Sequence, residues 1–134
     1  MKYMAKSVYE YKDYRDYLLS YIAAQPKAGR GLRLKMAQHM GCPVSHVSQV
    51  LNKQKIHLSL EQAEGLNEFL GHTQEESRYF LLLVQFKRAG TPQLKTRLDS
   101  LIKEAVEKHY LLTERLGIKG LSREDQVQFY SSWI

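Results

Sequence analysis

Apolar residues recur along the chain at three- and four-residue steps, and the alternation of a half-buried strand is nearly absent. Tyr11, Tyr14, Leu18, Tyr21 and Ile22 predict a first helix over about Glu10 to Ala24, which Pro26, Gly29 and Gly31 break. Met36, Ala37 and Met40 stripe a short second helix over about Leu32 to Met40. Gly41 stops it, because a left-handed helix end favours glycine. A third short helix follows over Val44 to Asn52, with Val47, Val50 and Leu51 inward. Its other positions, Ser45, His46, Ser48, Gln49 and Asn52, are all polar hydrogen-bonding types.

The capping pair Ser59 and Gln62 opens a fourth helix, Leu60 to Leu70, that buries Leu60, Ala63, Leu66 and Leu70 and ends at Gly71. Thr73 with Glu76 opens a fifth to about Ala89, apolar on nearly every side over residues 79–86. Thr91 and Pro92 start a sixth that reaches Leu116, about 37 Å at 1.5 Å per residue. Leu94, Leu98, Leu101, Ala105 and Leu112 give it an a/d-like rhythm suited to intramolecular packing or a dimer seam. Ser122 with Asp125 starts a last short helix holding Val127, Phe129, Tyr130 and Trp133.

The 134 residues suit one domain with a short appendage, and the composition, 43% hydrophobic and 25% charged, is that of a globular chain. No run is long enough to span a bilayer, no secretory signal is visible, and the single Cys42 cannot form an internal disulfide; a cytoplasmic protein is expected. Charge is unevenly placed: the formal net charge is +6, yet residues 1–60 carry +7 and residues 61–134 carry −1. Between Asp16 and Glu61 there is no carboxylate side chain, while Lys27, Arg30, Arg33, Lys35, Lys53 and Lys55 all fall in that interval. Such a surface suits a polyanion through phosphate contacts and counterion release.

The informative unit is Leu32 to Asn52: short helix, glycine turn, short helix. Ala37 is small enough for a close crossing, Gly41 makes the turn, and Val47 and Leu51 pin the second helix onto the first. The run from Leu32 to Gly41, followed by Val47-Ser48-Gln49-Val50-Leu51-Asn52, resembles the lambda-repressor/Cro-like (XRE-type) helix-turn-helix. With Tyr11–Ile22, Ser59–Ala63, Tyr79–Val84 and Phe129–Trp133, most of the chain resembles a bacterial subgroup in which this unit precedes a C-terminal domain of unknown function.

The resemblance implies an all-α fold: a five-helix lambda-repressor-like DNA-binding domain over residues 8–90 and a helical extension over 91–134. It implies a transcriptional regulator that binds double-stranded DNA, as a homodimer, with the third helix in the major groove. Val44, Ser45, His46, Ser48 and Gln49 would read bases. Lys27, Arg30, Arg33, Lys35, Asn52, Lys53 and Lys55 would meet phosphates. Leu94, Leu98, Leu101, Ala105 and Leu112 would pair two copies. The chain departs from the pattern where Lys53 and Gln54 replace the usual glycine, and the reading helix lacks arginine; phosphates are therefore expected to supply most of the affinity. Since the subgroup continues past Ile134, a C-terminal regulatory part is expected to be missing, or the chain to be a short member.

Other chemistries fare worse. His39, Cys42, His46 and His57 are zinc-type ligands, but His-x2-Cys-x3-His matches no four-ligand pattern, so no metal and no cofactor is expected. Tyrosines between residues 3 and 21 fit a core face better than a base-stacking platform. No nucleophile–base pair or phosphate loop points to an enzyme. The alternatives to gene regulation are a protein-interaction adaptor that keeps the fold without the DNA surface, and a nucleoid-type binder of low sequence preference.

Overall fold

The computed structural model describes residues 7–26 and 31–118. After a 3-10 turn at Val8–Glu10 come six α-helices: α1 (Tyr14–Ala23), α2 (Leu32–Met40), α3 (Val44–Leu51), α4 (Leu60–Leu70), α5 (Gln74–Arg88) and α6 (Pro92–Ile118). No strand occurs among the described residues, and the fold is all-α. The short helix expected after Ser122 lies outside them, as do Tyr3, Lys27 and Arg30.

Local chemistry explains the boundaries. α2 and α4 end at Gly41 and Gly71 as expected, each with a left-handed φ of 70°. Both expected capping boxes form: Ser59 with Gln62, and Thr73 with Glu76. α1 begins later than periodicity alone predicts. Asp13 takes the cap, its Oδ1 accepting the Arg15 N–H at 2.9 Å. The Arg15 guanidinium folds back onto both carboxylate oxygens. Burial pushes the Asp13 carboxyl up, but these Arg15 bonds and the charges of Arg15 and Lys87 outweigh it and hold the carboxyl below its ordinary range. Tyr11 is thereby left ahead of the helix, where its carbonyl accepts the Tyr79 hydroxyl at 2.9 Å.

One core gathers residues from every helix and the 3-10 turn, among them Val8, Tyr14, Leu18, Met36, Leu51, Leu58, Leu66, Phe80, Leu83 and Ile102. Burying each large apolar side chain contributes about 1.5–3 kcal/mol. Tyr9, Tyr14 and Tyr17 are buried here, and the hydroxyls of Tyr14 and Tyr17 reach histidines at the core edge. Leu58 N–H donates to the Tyr14 hydroxyl (3.2 Å), which also hydrogen-bonds with His57 Nδ1 (3.0 Å). Burial pushes the Tyr14 phenol up to about 12, so it keeps its proton. Asn67 Nδ2 donates to Glu64 Oε1 and the Ser77 carbonyl, which leaves Asn67 Oδ1 to accept from His72 Nδ1–H (2.7 Å). His72 Nε2 then accepts the Tyr17 hydroxyl at 2.7 Å, tying α1 to the α4–α5 corner.

The core crosses the boundary expected at residue 90. Leu98 and Ile102 of α6 are buried, Ala105 and Val106 pack against the same cluster, and the His109 ring stacks on Tyr9 with centroids 3.9 Å apart. α6 is therefore part of the domain's packing. The residues of the stripe read from sequence divide between the inside and the outside of the domain. Leu98 faces the core and Ala105 packs on it; Leu112 is half-buried; Leu94 and Leu101 remain exposed. Leu60, expected inside, is 43% exposed.

α2 crosses α4 at Gly65. A Cβ built there would lie 2.6 Å from the His39 carbonyl oxygen, which is backbone and cannot swing away. Gly65→Ala should therefore lower stability by about 2–3 kcal/mol, the range for overpacking, although alanine is the better helix former. Urea unfolding of the variant checks this, and a stabilised variant would refute the crossing.

Three buried or half-buried histidines fix the sign of the acid response. Burial holds His57, His72 and His109 below the ordinary imidazole value. An unfolded chain binds their protons first, at about 6.5, so their contribution is complete above that pH. It drains away as pH falls from there through the lowered folded values. The urea midpoint should thus drop between about pH 7.5 and 5, before Asp13 begins to titrate.

Candidate nucleic-acid interface

α3 is the shortest helix of the six and the most sharply two-sided. Pro43, with φ −66° and ψ 150°, stands in extended conformation at its start. Val47, Val50 and Leu51 are buried and seat the helix against α2 and α1. Cys42 fills part of the turn, packed against the core, and burial raises its thiol above the ordinary value. The Cys42 N–H donates to the Ala37 carbonyl (3.1 Å), which closes α2 and sets the turn.

The opposite side of α3 is open. Val44, Ser45, Gln49 and Asn52 are exposed, while Ser48 and His46 are half-buried. His46 does not stand free: its Nε2 lies 3.2 Å from Gln62 Oε1 at the start of α4. Sequence reasoning assigns Gln62 to the capping box alone, and nothing in the local pattern marks its second contact.

The cations separate into two groups. Arg33 is half-buried in the first turn of α2, and Lys35 and Lys55 are exposed; none of these three makes an ion pair among the described residues. Lys53 is different. Its ammonium pairs with Asp16 of α1, bridging the end of α3 to a distant helix. The interval free of acids in sequence is therefore not free of them in space. The chain also turns left-handed at Lys53, with φ 60°, the one such position outside glycine among the described residues. This is the place where the resembled helix-turn-helix commonly carries glycine.

The histidines and the cysteine weighed as zinc ligands go to separate neighbours. His39 packs on Phe69, His46 meets Gln62 and His57 meets Tyr14. Among the described residues no three His, Cys, Asp or Glu are grouped to hold a metal ion, and no helix is long and apolar enough to cross a membrane. An open cleft of about 390 Å³ lies between α4 and α5, lined by Glu64, His72, Gln74, Ser77, Arg78 and Leu81. None of the sequence-predicted site residues lines it. Comparison of the chain with protein-family models, curated proteins and solved structures finds no match.

The left-handed turn costs a lysine about 1 kcal/mol or more, whereas the ion pair with Asp16, nearly half-exposed on both sides, contributes at most about 1 kcal/mol. Lys53→Gly should accordingly hold or raise stability, by up to about 1 kcal/mol. Asp16→Asn should change it by less than about 0.5 kcal/mol. Thermal unfolding of both variants tests this balance; a Lys53→Gly protein that melts well below wild type would place the dominant interaction in the ion pair.

Proposed function

We propose that the protein is a DNA-binding regulator of transcription, built on a lambda-repressor-like helix-turn-helix, in which α3 enters the major groove. The carrying observation is the outward face of α3, with Val44, Ser45 and Gln49 exposed, together with Arg33 and Lys35 before it and Lys55 after it in the chain, three cations that make no ion pair among the described residues. Serine and glutamine hydrogen-bond base edges, and Val44 suits a thymine methyl. Arg33, Lys35 and Lys55 neutralise phosphates. Lys53 meets a phosphate only by sharing or leaving Asp16, so it adds less than its charge suggests. Pairing of two copies on adjacent half-sites would use the outward residues of α6, Leu94 and Leu101, because Leu98 and Ala105 are committed inward.

A protein-interaction adaptor is the second reading, and one observation favours it. Leu34, Val44, Ile56 and Leu60 are 54%, 42%, 36% and 43% exposed on and around the same helices, an apolar presence that phosphates do not explain. Salt dependence separates the two. For a DNA binder, charge reversal at Arg33 and Lys55 together should weaken binding to every duplex alike. It should also flatten the plot of log affinity against log salt by about two, near 0.9 for each lost phosphate contact. Fluorescence anisotropy over a salt series measures both. An unchanged slope, or a wild-type protein indifferent to duplex DNA, would favour the adaptor.

A further inference from the structure

His46 occupies the third position of α3 and is half-buried beside exposed Val44, Ser45 and Gln49. Gln62 Oε1, 3.2 Å from His46 Nε2, also accepts the backbone N–H of Ser59 at 3.0 Å. A group that accepts an amide hydrogen there is the carbonyl oxygen of the side chain, and a carbonyl oxygen cannot donate. His46 Nε2 must therefore carry the hydrogen. In the neutral ring this leaves Nδ1 as a bare lone pair, an acceptor. Gln62 is itself anchored, its own N–H donating to Ser59 Oγ at 3.1 Å. One capping box thus starts α4 and also sets the proton arrangement of a residue on α3.

We propose that Gln62 is a positioning residue that presents His46 to DNA as a hydrogen-bond acceptor, so that His46 selects a base edge bearing an amino donor. This rests on the DNA reading above. In the major groove the donors are adenine N6 and cytosine N4; guanine N7 and O6 and thymine O4 are acceptors that a bare Nδ1 disfavours. His46 then favours adenine or cytosine over guanine or thymine at one operator position.

Two measurements test this at about pH 8, above the ordinary titration range of imidazole. Nitrogen-15 NMR of the imidazoles, without DNA, should show His46 as the Nε2–H form in wild type and in Gln62→Glu, which keeps the acceptor and the cap. Gln62→Met should let a measurable Nδ1–H share appear, as in a free imidazole, where Nε2–H is only the majority form. Selection of bound sites from a randomised duplex pool should then show an adenine or cytosine preference at one position. That preference should fall roughly tenfold, the scale of one net hydrogen bond, in Gln62→Met and His46→Ala, and survive in Gln62→Glu. Glu76→Met removes the equivalent cap from α5 and should leave the preference intact, which separates positioning from helix stability. The proposal falls if His46 is the Nδ1–H form, if Gln62→Met keeps the preference, or if Glu76→Met abolishes it equally. Failure of the DNA reading is distinct: wild type then retains no duplex at all, whatever its tautomer, and base selection falls with it.

Discussion

The contact between Gly65 and the His39 carbonyl sets the geometry on which the candidate interface depends. α2 and α4 approach so closely there that only a residue without a side chain fits. The crossing lets Met36, Ala37 and Met40 of α2 bury against a core that Ala63 and Leu66 of α4 share. Because α3 rests on α2 through Val47, Val50 and Leu51, its outer face is only as well placed as α2 is. A glycine inside a helix costs about 1 kcal/mol relative to alanine, and the side chains that the close crossing buries offset this several times over. The wide surface of α3 is thus held by contacts on its far side, which leaves Ser45 and Gln49 free of structural duty.

Hydroxyls and imidazoles supply the second level of organisation. Tyr14, Tyr17 and Tyr79 each place a ring in the core and a hydroxyl at its edge, where His57, His72 and the Tyr11 carbonyl respectively receive it. These bonds connect segments far apart in sequence. Tyr9, Tyr11, Tyr14 and Tyr17 are therefore engaged with α5, the loop before α4 and the α4–α5 corner, rather than displayed for stacking on bases. Desolvation holds both paired imidazoles below the ordinary value, which favours their neutral form.

Legibility in the sequence followed the range of the interaction responsible. Elements bounded by local signals were readable: Gly41 and Gly71 at helix ends, Ser59 with Gln62 and Thr73 with Glu76 at helix starts, and the valine–leucine stripe of α3. Asp13 was a local signal too, but the apolar rhythm running through Tyr11 masked it and drew α1 too early. α6 misled for a different reason. Leucines stand on both of its faces, and Leu94-Leu98-Leu101-Ala105 has the right spacing for a seam. The inward stripe passes through Ile102, Ala105, Val106 and His109, with Leu98 also buried, and the position of α5 decides which leucines stay outside. Gly65, the Asp16–Lys53 pair and the His46–Gln62 contact depend on pairs of residues far apart in the chain, and neither member of a pair has an unusual neighbourhood. Of the candidate site, the exposed polar face of α3 was legible; the acid beside Lys53 and the contact between His46 and Gln62 were not.

Lys53 shows how these levels meet. Its backbone adopts the conformation that glycine holds most cheaply, and its ammonium is neutralised by Asp16, so neither its strain nor its charge serves the site directly. Both make sense as a clamp between α3 and α1. The pair adds to the hydrogen bonds from the Lys53 and Gln54 N–H groups back to Val50 and Gln49, and to the Leu58 and His57 contacts with Tyr14 that anchor the loop further on. With it, Lys55 and Ile56 leave α3 in a direction set by α1 as well as α2. The pair ties the end of α3 to α1, and the local pattern of basic residues overstates the number of cations free of an acidic neighbour.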